Sequence, residues 1–301
     1  MESTTALNAA AVSLTRPSPG RVDGKTAAPF VLSILAWLSP VCRAQTPSPL
    51  QEWQYSGGIP LERLFEPKIP EWHVQVGLAA EPRPVYEGAR DYRVLVGPVL
   101  DVRYKDIAFA SVGEGLGVNL LHGDNYRAGI AVGYDLGRRE RADLAHLSGL
   151  GNVEAAPVFR AFGSYVVSKQ LPLVLRADIR QFVGGARGVV GDVEAYLPLP
   201  GSSEKLAMFA GPSMTFADHR HQQTLFGVTP GQSLASGYPA YDAHGGSNAA
   251  GFGFSLTRIL STRWLLNGDL AFDRLLGSAA GSPVIQRKSQ GVLVLSTAYK
   301  W

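Results

Sequence analysis

The stretch Tyr126 to Gly137 reads Tyr-Arg-Ala-Gly-Ile-Ala-Val-Gly-Tyr-Asp-Leu-Gly. Alternate residues separate into two sets. Tyr126, Ala128, Ile130, Val132, Tyr134 and Leu136 form one, and Arg127, Gly129, Ala131, Gly133, Asp135 and Gly137 form the other. Successive side chains of a strand point to opposite faces, so this spacing predicts a β-strand with an apolar face backed by a small and charged one. Aromatic rings stand at or near both ends of the apolar set. A strand of about ten residues, greasy on one side and ringed at its ends, suits a bilayer better than a soluble core.

The pattern recurs. Leu173, Leu175, Ala177 and Ile179 alternate with Val174, Arg176, Asp178 and Arg180. A charge at every other position of an apolar strand calls for a wet or salt-bridged interior opposite a greasy exterior, so Ile179 is expected to face lipid and Asp178 the lumen. Similar strands are expected at Trp72–Ala79, Arg93–Tyr104, Phe159–Val167, Val189–Leu197, Leu206–Phe216, Gly251–Leu260, Trp264–Phe272 and Gln290–Trp301. Ile107–Leu121, taken as one strand, gives eleven. Bacterial single-chain barrels have even strand numbers, so this segment is expected to fold back at Glu114-Gly115, which makes twelve. Short turns at Lys105, Lys169, Pro198 and Ser261 then share the periplasmic side with both termini. Longer connections at Arg138, Ala217 and Asp273 lie outside, and Glu81–Tyr92 reads as a polar loop. The fold expected is an all-β, transmembrane, antiparallel up-and-down β-barrel of about 12 strands over residues 72–301. Its last residue is the aromatic Trp301, as in many outer-membrane barrels.

Ahead of the barrel, Ala27–Leu38 is apolar but far shorter than the roughly 18 residues a spanning helix needs. It follows Arg21 and Lys25 and precedes Cys42-Arg43-Ala44, the order of a secretory signal peptide. Residues 1–44 are therefore read as a cleaved leader, with Gln45 as the mature N-terminus, and 45–71 as a polar periplasmic tail. The leader takes four of the 28 basic and two of the 25 acidic residues, leaving the mature chain nearly neutral, so the basic balance says nothing of nucleic acid. Cys42, the single cysteine, leaves with it, which excludes disulfides and thiol chemistry from the mature protein. Ser39 and Val41 do not fit a lipobox around Cys42.

Several short motifs resemble the MipA/OmpV family of outer-membrane proteins. They are Tyr86-Glu-Gly with Asp91-Tyr-Arg, Gly115-Leu-Gly-Val-Asn-Leu-Leu121, Val132-Gly-Tyr-Asp-Leu-Gly-Arg138, Phe226-Gly-Val, Ser236-Gly-Tyr-Pro-Ala-Tyr-Asp242, and Leu275-Leu-Gly with Ser282-Pro-Val-Ile285. The resemblance spans roughly Trp72 to Trp301. It implies a barrel integral to the bacterial outer membrane. In the family's best-studied branch it implies a scaffold linking a lytic transglycosylase, MltA, with a peptidoglycan synthase. Other branches are treated as porin-like or adhesion proteins. The family supplies no catalytic residues.

The residues themselves assemble no enzyme site. His219 and His221 stand beside Asp218, a spacing that suggests a metal or an acid–base pair, but in a mobile polar loop (Ala217–Asn248) they are expected to be solvated side chains. Gly113-Glu-Gly-Leu-Gly is followed by no helix and reads as strand-bend glycines, not a phosphate loop. No catalytic, cofactor or metal residue is assigned. The interior set of Arg127, Arg160, Arg176 and Arg180 against Asp135, Asp178, Asp192, Glu194 and Asp269 is nearly balanced, which favours internal salt bridges over an ion filter of one sign. The function expected is a non-enzymatic scaffold or interaction protein of the cell envelope, in contact with outer-membrane lipid and peptidoglycan enzymes. The alternative is a small-solute channel or a surface adhesin.

Overall fold

A computed structural model of the chain describes residues 71–168, 172–203 and 205–301. The leader and almost all of the 45–71 tail lie outside the described residues, as does the Lys169–Leu171 part of one expected turn. Twelve strands form one closed antiparallel barrel in which each strand pairs with its chain neighbours and β1 closes on β12. They are β1 (Trp72–Pro84), β2 (Tyr92–Tyr104), β3 (Ala108–Ser111), β4 (Gly115–His122), β5 (Tyr126–Asp135), β6 (Ala156–Val166), β7 (Val174–Phe182), β8 (Gly188–Pro198), β9 (Leu206–Ala217), β10 (Gly246–Ile259), β11 (Trp264–Leu275) and β12 (Ser289–Lys300). No described helix is long and apolar enough to cross a membrane.

The expected fold-back of Ile107–Leu121 is present. Gly115 opens β4 at φ +81, where an added Cβ would lie 2.2 Å from the Val132 carbonyl oxygen, so only glycine fits. The β2–β3 turn holds Lys105 and Asp106 at φ 46 and 59, a strained choice for side-chain-bearing residues. It is braced from two sides. Arg127 Nε donates to Asp106 Oδ2 at 2.5 Å, and Asn119 Nδ2 donates to the Asp106 carbonyl at 2.7 Å.

Ile130, Val132, Tyr134, Leu175, Ile179, Val193, Phe252 and Leu295 are exposed, while the residues between them turn inward. At one rim Trp72 meets Tyr104 at 4.6 Å between ring centroids, and Trp264, Tyr299 and Trp301 follow at 5.3 and 4.9 Å. Tyr92, Tyr134, Phe216 and Phe272 mark the other rim. Between these girdles the outside of the barrel is apolar, as a bilayer requires.

Residues 81–84 belong to β1 and not to the polar loop expected over Glu81–Tyr92. The reason lies in the hydrogen-bond ladders. The β1–β12 register stops at Ala80↔Leu295, and the Trp301 amide donates to the Val74 carbonyl, so even-numbered residues of β1 turn their backbone groups towards β12. Pro82 and Pro84 therefore lack an N–H where no partner strand stands. The same holds on β2. Ile107 N donates to Tyr104 O and Val112 N to Leu100 O, so its even residues face β3, but the β2–β3 register ends at Asp101↔Ser111. Above that level the edge at Val94, Val96 and Pro98 has no strand partner among the described residues. Proline again occupies a position whose donor would be orphaned. The short β3–β4 hairpin thus leaves a notch in the wall between the upper part of β2 and Gly133–Asp135 of β5.

Candidate functional site: a charged lumen beneath a packed cap

Inside the barrel the charges form a ladder. Across β6–β7 and β7–β8 two directly opposite pairs are alike, Arg160 with Arg180 and Asp178 with Asp192, while Arg176 stands opposite Glu194. The favourable contacts of these four run diagonally across strands or two residues along one strand, within reach of long side chains. Arg160 pairs with Asp178, Asp178 with Arg180 at 3.1 Å, and Arg180 with Asp192, which also accepts Thr215 Oγ1 at 2.6 Å. On the other wall Arg103 joins Asp101 at 2.9 Å to Glu114 at 2.6 Å, and Arg127 holds Asp106. Tyr196 donates to Glu194, and the guanidinium groups of Arg103, Arg160 and Arg176 lie over Phe109, Phe162 and Tyr196 at 5.3 to 5.5 Å. All four arginines and all five carboxylates expected inside belong to strands of this wall. The sequence reading missed Asp101 and Arg103 near the end of β2, and Asp106 and Glu114 in the turns on either side of the four-residue β3, where side-chain alternation does not apply.

Above the ladder the outer connections pack into a cap. Four α-helices of the described residues lie there: α1 (Leu144–Leu147), α2 (His219–Phe226), α3 (Pro230–Ser236) and α4 (Gly277–Gly281). The Ala217–Asn248 segment, expected to be a mobile loop, is thus folded. Asp218 caps α2 by accepting the His221 amide at 2.8 Å, and Thr229 with Gln232 makes a reciprocal capping box on α3. Phe226, Leu225, Phe182, Ala186, Ala243, Leu275 and Ala279 form one apolar core under these helices, and Tyr86, Ala89, Leu147, Leu150, Val228 and Val284 form a second. Several of the motifs that carry the family resemblance meet here. Tyr86 Oη donates to the Val284 carbonyl at 3.1 Å, Ser282 Oγ to the Phe226 carbonyl at 2.6 Å, and Val228 exchanges backbone bonds with Tyr241 at 2.9 Å each way.

Burial sets the electrostatics of the cap. The Tyr86 hydroxyl is pushed up to about 12, and the Glu87 carboxyl up to about 7 despite the Asn248 amide that donates to it at 3.2 Å. Arg138, buried and donating to the Leu225 carbonyl at 2.7 Å, is brought down to about 10 by desolvation. The pair of histidines considered from sequence is split. His221 is buried rather than solvated, its ring 4.8 Å from Phe182 and its Nδ1 3.0 Å from the Arg187 carbonyl, and desolvation lowers it to about 4. His219 stays exposed beside a cleft of about 720 Å³ lined by Asn152, Glu154, Gln181, Arg187 and Gln223. Its ring faces His244, with Asp242 alongside. Sequence reasoning passed over Asp242 and His244, which lie more than twenty positions from His219.

An up-and-down barrel of twelve strands, apolar and aromatic-ringed outside and charged within, is an integral outer-membrane protein. The family model described as "MltA-interacting protein MipA" matches residues 76–301. The chain belongs to that family. Solved structures with a similar strand arrangement include Neisserial surface protein A (8% identity, 77% of this chain and 98% of that one, TM-score 0.24). Others are a bacterial polysaccharide outer membrane secretin (9%, 78% and 99%, 0.40) and OprD from Pseudomonas aeruginosa (9%, 75% and 65%, 0.34). At these scores the likeness carries nothing about lumen, ligand or activity. Among curated proteins none matches.

Proposed function

We propose that the barrel is a non-enzymatic scaffold of the cell envelope, holding peptidoglycan-remodelling enzymes at the inner face of the outer membrane. The observation that carries this reading is the buried ion-pair ladder from Arg160 to Asp192. A filter concentrates one sign of charge, whereas here each charge is neutralised by its neighbour and leaves no path of single sign. The packed cap is a second barrier in series. With the lumen so occupied, the surfaces left to act are the loops, the periplasmic turns and the 45–71 tail. The family description names an interaction with MltA, a lytic transglycosylase, and a peptidoglycan synthase is the complementary partner that such a scaffold would bring to it.

Two measurements test the proposal together. The purified barrel in planar bilayers should give no steady conductance, and deletion of residues 45–71 should weaken co-purification of the transglycosylase from cross-linked envelopes while the barrel still inserts. Steady single-channel steps would favour the channel reading. Unchanged co-purification, with the tail removed and Pro198–Lys205 replaced by a minimal turn, would remove the scaffold reading.

A further inference from the structure

The geometry points to a divalent transition-metal site on the outer cap, formed by His219, Asp242 and His244 and suited to zinc. One donor atom from each residue lies within 4.8 Å of the others. In a tetrahedral zinc site with bonds of 2.0–2.2 Å, neighbouring donors are roughly 3.3 Å apart. The three side chains therefore need close by at most about 1.5 Å, a rotamer adjustment open to exposed side chains on a fixed backbone.

The backbone is indeed fixed, and by one residue. Ala243 is fully buried; its amide donates to Gln223 Oε1 at 2.7 Å and its carbonyl accepts from His219 Nδ1 at 2.9 Å. Asp242 and His244 flank this anchored residue and are both exposed beside His219. The His244 amide is tied to Ser278 Oγ at 2.8 Å, and the Tyr241 backbone is paired on both sides with Val228. A carbonyl can only accept, so His219 Nδ1 carries the proton and its Nε2 presents a lone pair. That is the outer hydrogen bond by which metal-binding imidazoles are oriented and made more basic. The His219 and His244 rings lie nearly parallel, 6.2 Å between centroids, and the Asp242 carboxylate stands 3.8 Å from His244 Nδ1.

Two imidazoles and one carboxylate suit zinc, copper(II) or nickel(II); calcium and magnesium prefer all-oxygen shells. Three protein ligands on an exposed surface leave the remaining position to water or to a group entering from the adjoining cleft. A bound ion also clamps the first turn of α2 to the Tyr241–Gly245 segment. It therefore fastens the cap that covers the lumen. The site is independent of the scaffold reading, since neither the ladder nor the periplasmic surface takes part.

The test uses the full, untagged mature barrel in detergent, stripped with chelator and titrated with Zn²⁺ by calorimetry. One Zn²⁺ per chain should bind, with an excess of Ca²⁺ or Mg²⁺ failing to compete. His219→Ala and His244→Ala should each weaken it at least tenfold, and His122→Ala, on the far rim, should leave it unchanged. Heat-modifiable migration on gels checks that each variant is folded. Co²⁺ in place of zinc should give the visible absorption of a four-coordinate nitrogen–oxygen site, lost in the same two variants. Folded His219→Ala and His244→Ala chains that bind Zn²⁺ like wild type would overturn the proposal, as would an equal loss in His122→Ala or the absence of stoichiometric binding.

Discussion

Asp178 and Ile179 are adjacent on β7 and face opposite ways, so substituting each in turn measures the lumen against the lipid. Ile179 is 59% exposed on the apolar outside, and Ile179→Arg near mid-membrane should cost about 2–4 kcal/mol. From facing alone Asp178→Asn should be the milder change, since it would only loosen an internal pair. The contacts argue otherwise. Asp178 bridges Arg160 and Arg180, whose side chains are 7% and 2% exposed. Arg180 keeps Asp192 when Asp178 is neutralised, whereas Arg160 loses the charge of the carboxylate it pairs with. Breaking a buried pair from one side costs about 3–5 kcal/mol. Asp178→Asn should therefore destabilise at least as much as Ile179→Arg.

A compensating substitution separates charge from shape. Arg160→Gln in the Asp178→Asn background removes the cation whose pair partner has been neutralised and should recover part of the loss, a coupling that a double-mutant cycle measures directly. Urea unfolding from lipid vesicles is the assay, with the fluorescence of Trp72, Trp264 and Trp301 at the rim reporting insertion. A cost under about 1 kcal/mol for Asp178→Asn would refute the buried-ladder reasoning, given the magnitudes expected when a buried pair is broken from one side. So would a double variant no more stable than the single one.

Pro98→Val restores an N–H on the open edge of β2 within the apolar band, where an unsatisfied donor costs several kcal/mol; thermal unfolding should fall, and an unchanged transition would mean that the edge is covered. Phe226→Ala empties a site only 1% exposed in the cap core and should cost about 3–5 kcal/mol of cap stability, read as faster external proteolysis between residues 218 and 245 with the barrel intact. Glu87 has its folded pKa raised to about 7 by burial, so its contribution to cap stability is present below its ordinary value near 4.5 and lost as pH rises through 7, about 3 kcal/mol at most. Hydrogen exchange of the cap should accordingly speed up between pH 5 and 8, and Glu87→Gln should flatten that profile. N-terminal sequencing of envelope protein should find Gln45 first; a start inside the leader or an acylated Cys42 would contradict the signal-peptide reading.

The barrel wall was legible because a bilayer on one side and paired charges on the other force strict alternation over strands of nine to fourteen residues. Tyr126–Asp135 and Val174–Phe182 show it without interruption. Where the wall departs from regular pairing, the same logic misled. Pro82 and Pro84 fell in a stretch that reads as loop because it is polar, and yet both are strand residues facing a side with no ladder. Their positions, and that of Pro98, become informative once the register is known: each missing donor falls on an unpaired edge. Proline spacing of two along an apolar strand was the available signal, and it points to an edge as much as to a loop.

The cap failed to show for a different reason. Its helices run from four to eight residues, too short for a 3.6-residue period to declare itself, and its cores use Ala89, Ala186, Ala243 and Ala279, each fully buried, where a hydropathy scan looks for large residues. Only the ends of these helices were written plainly, in Asp218 before α2 and in Thr229-Pro230 with Gln232 before α3. What assembles the cap is contact between connections far apart in the chain, as in the bond from Tyr86 to Val284, 198 positions on. Such contacts exist only after the barrel has brought the outer ends of its strands together. The His219–Asp242–His244 cluster depends on the same step, since α2 and the buried Ala243 must both be in place before the three side chains share a neighbourhood. Strand periodicity thus encodes the wall locally, while cap and cluster are consequences of closure, which no single stretch of this sequence displays.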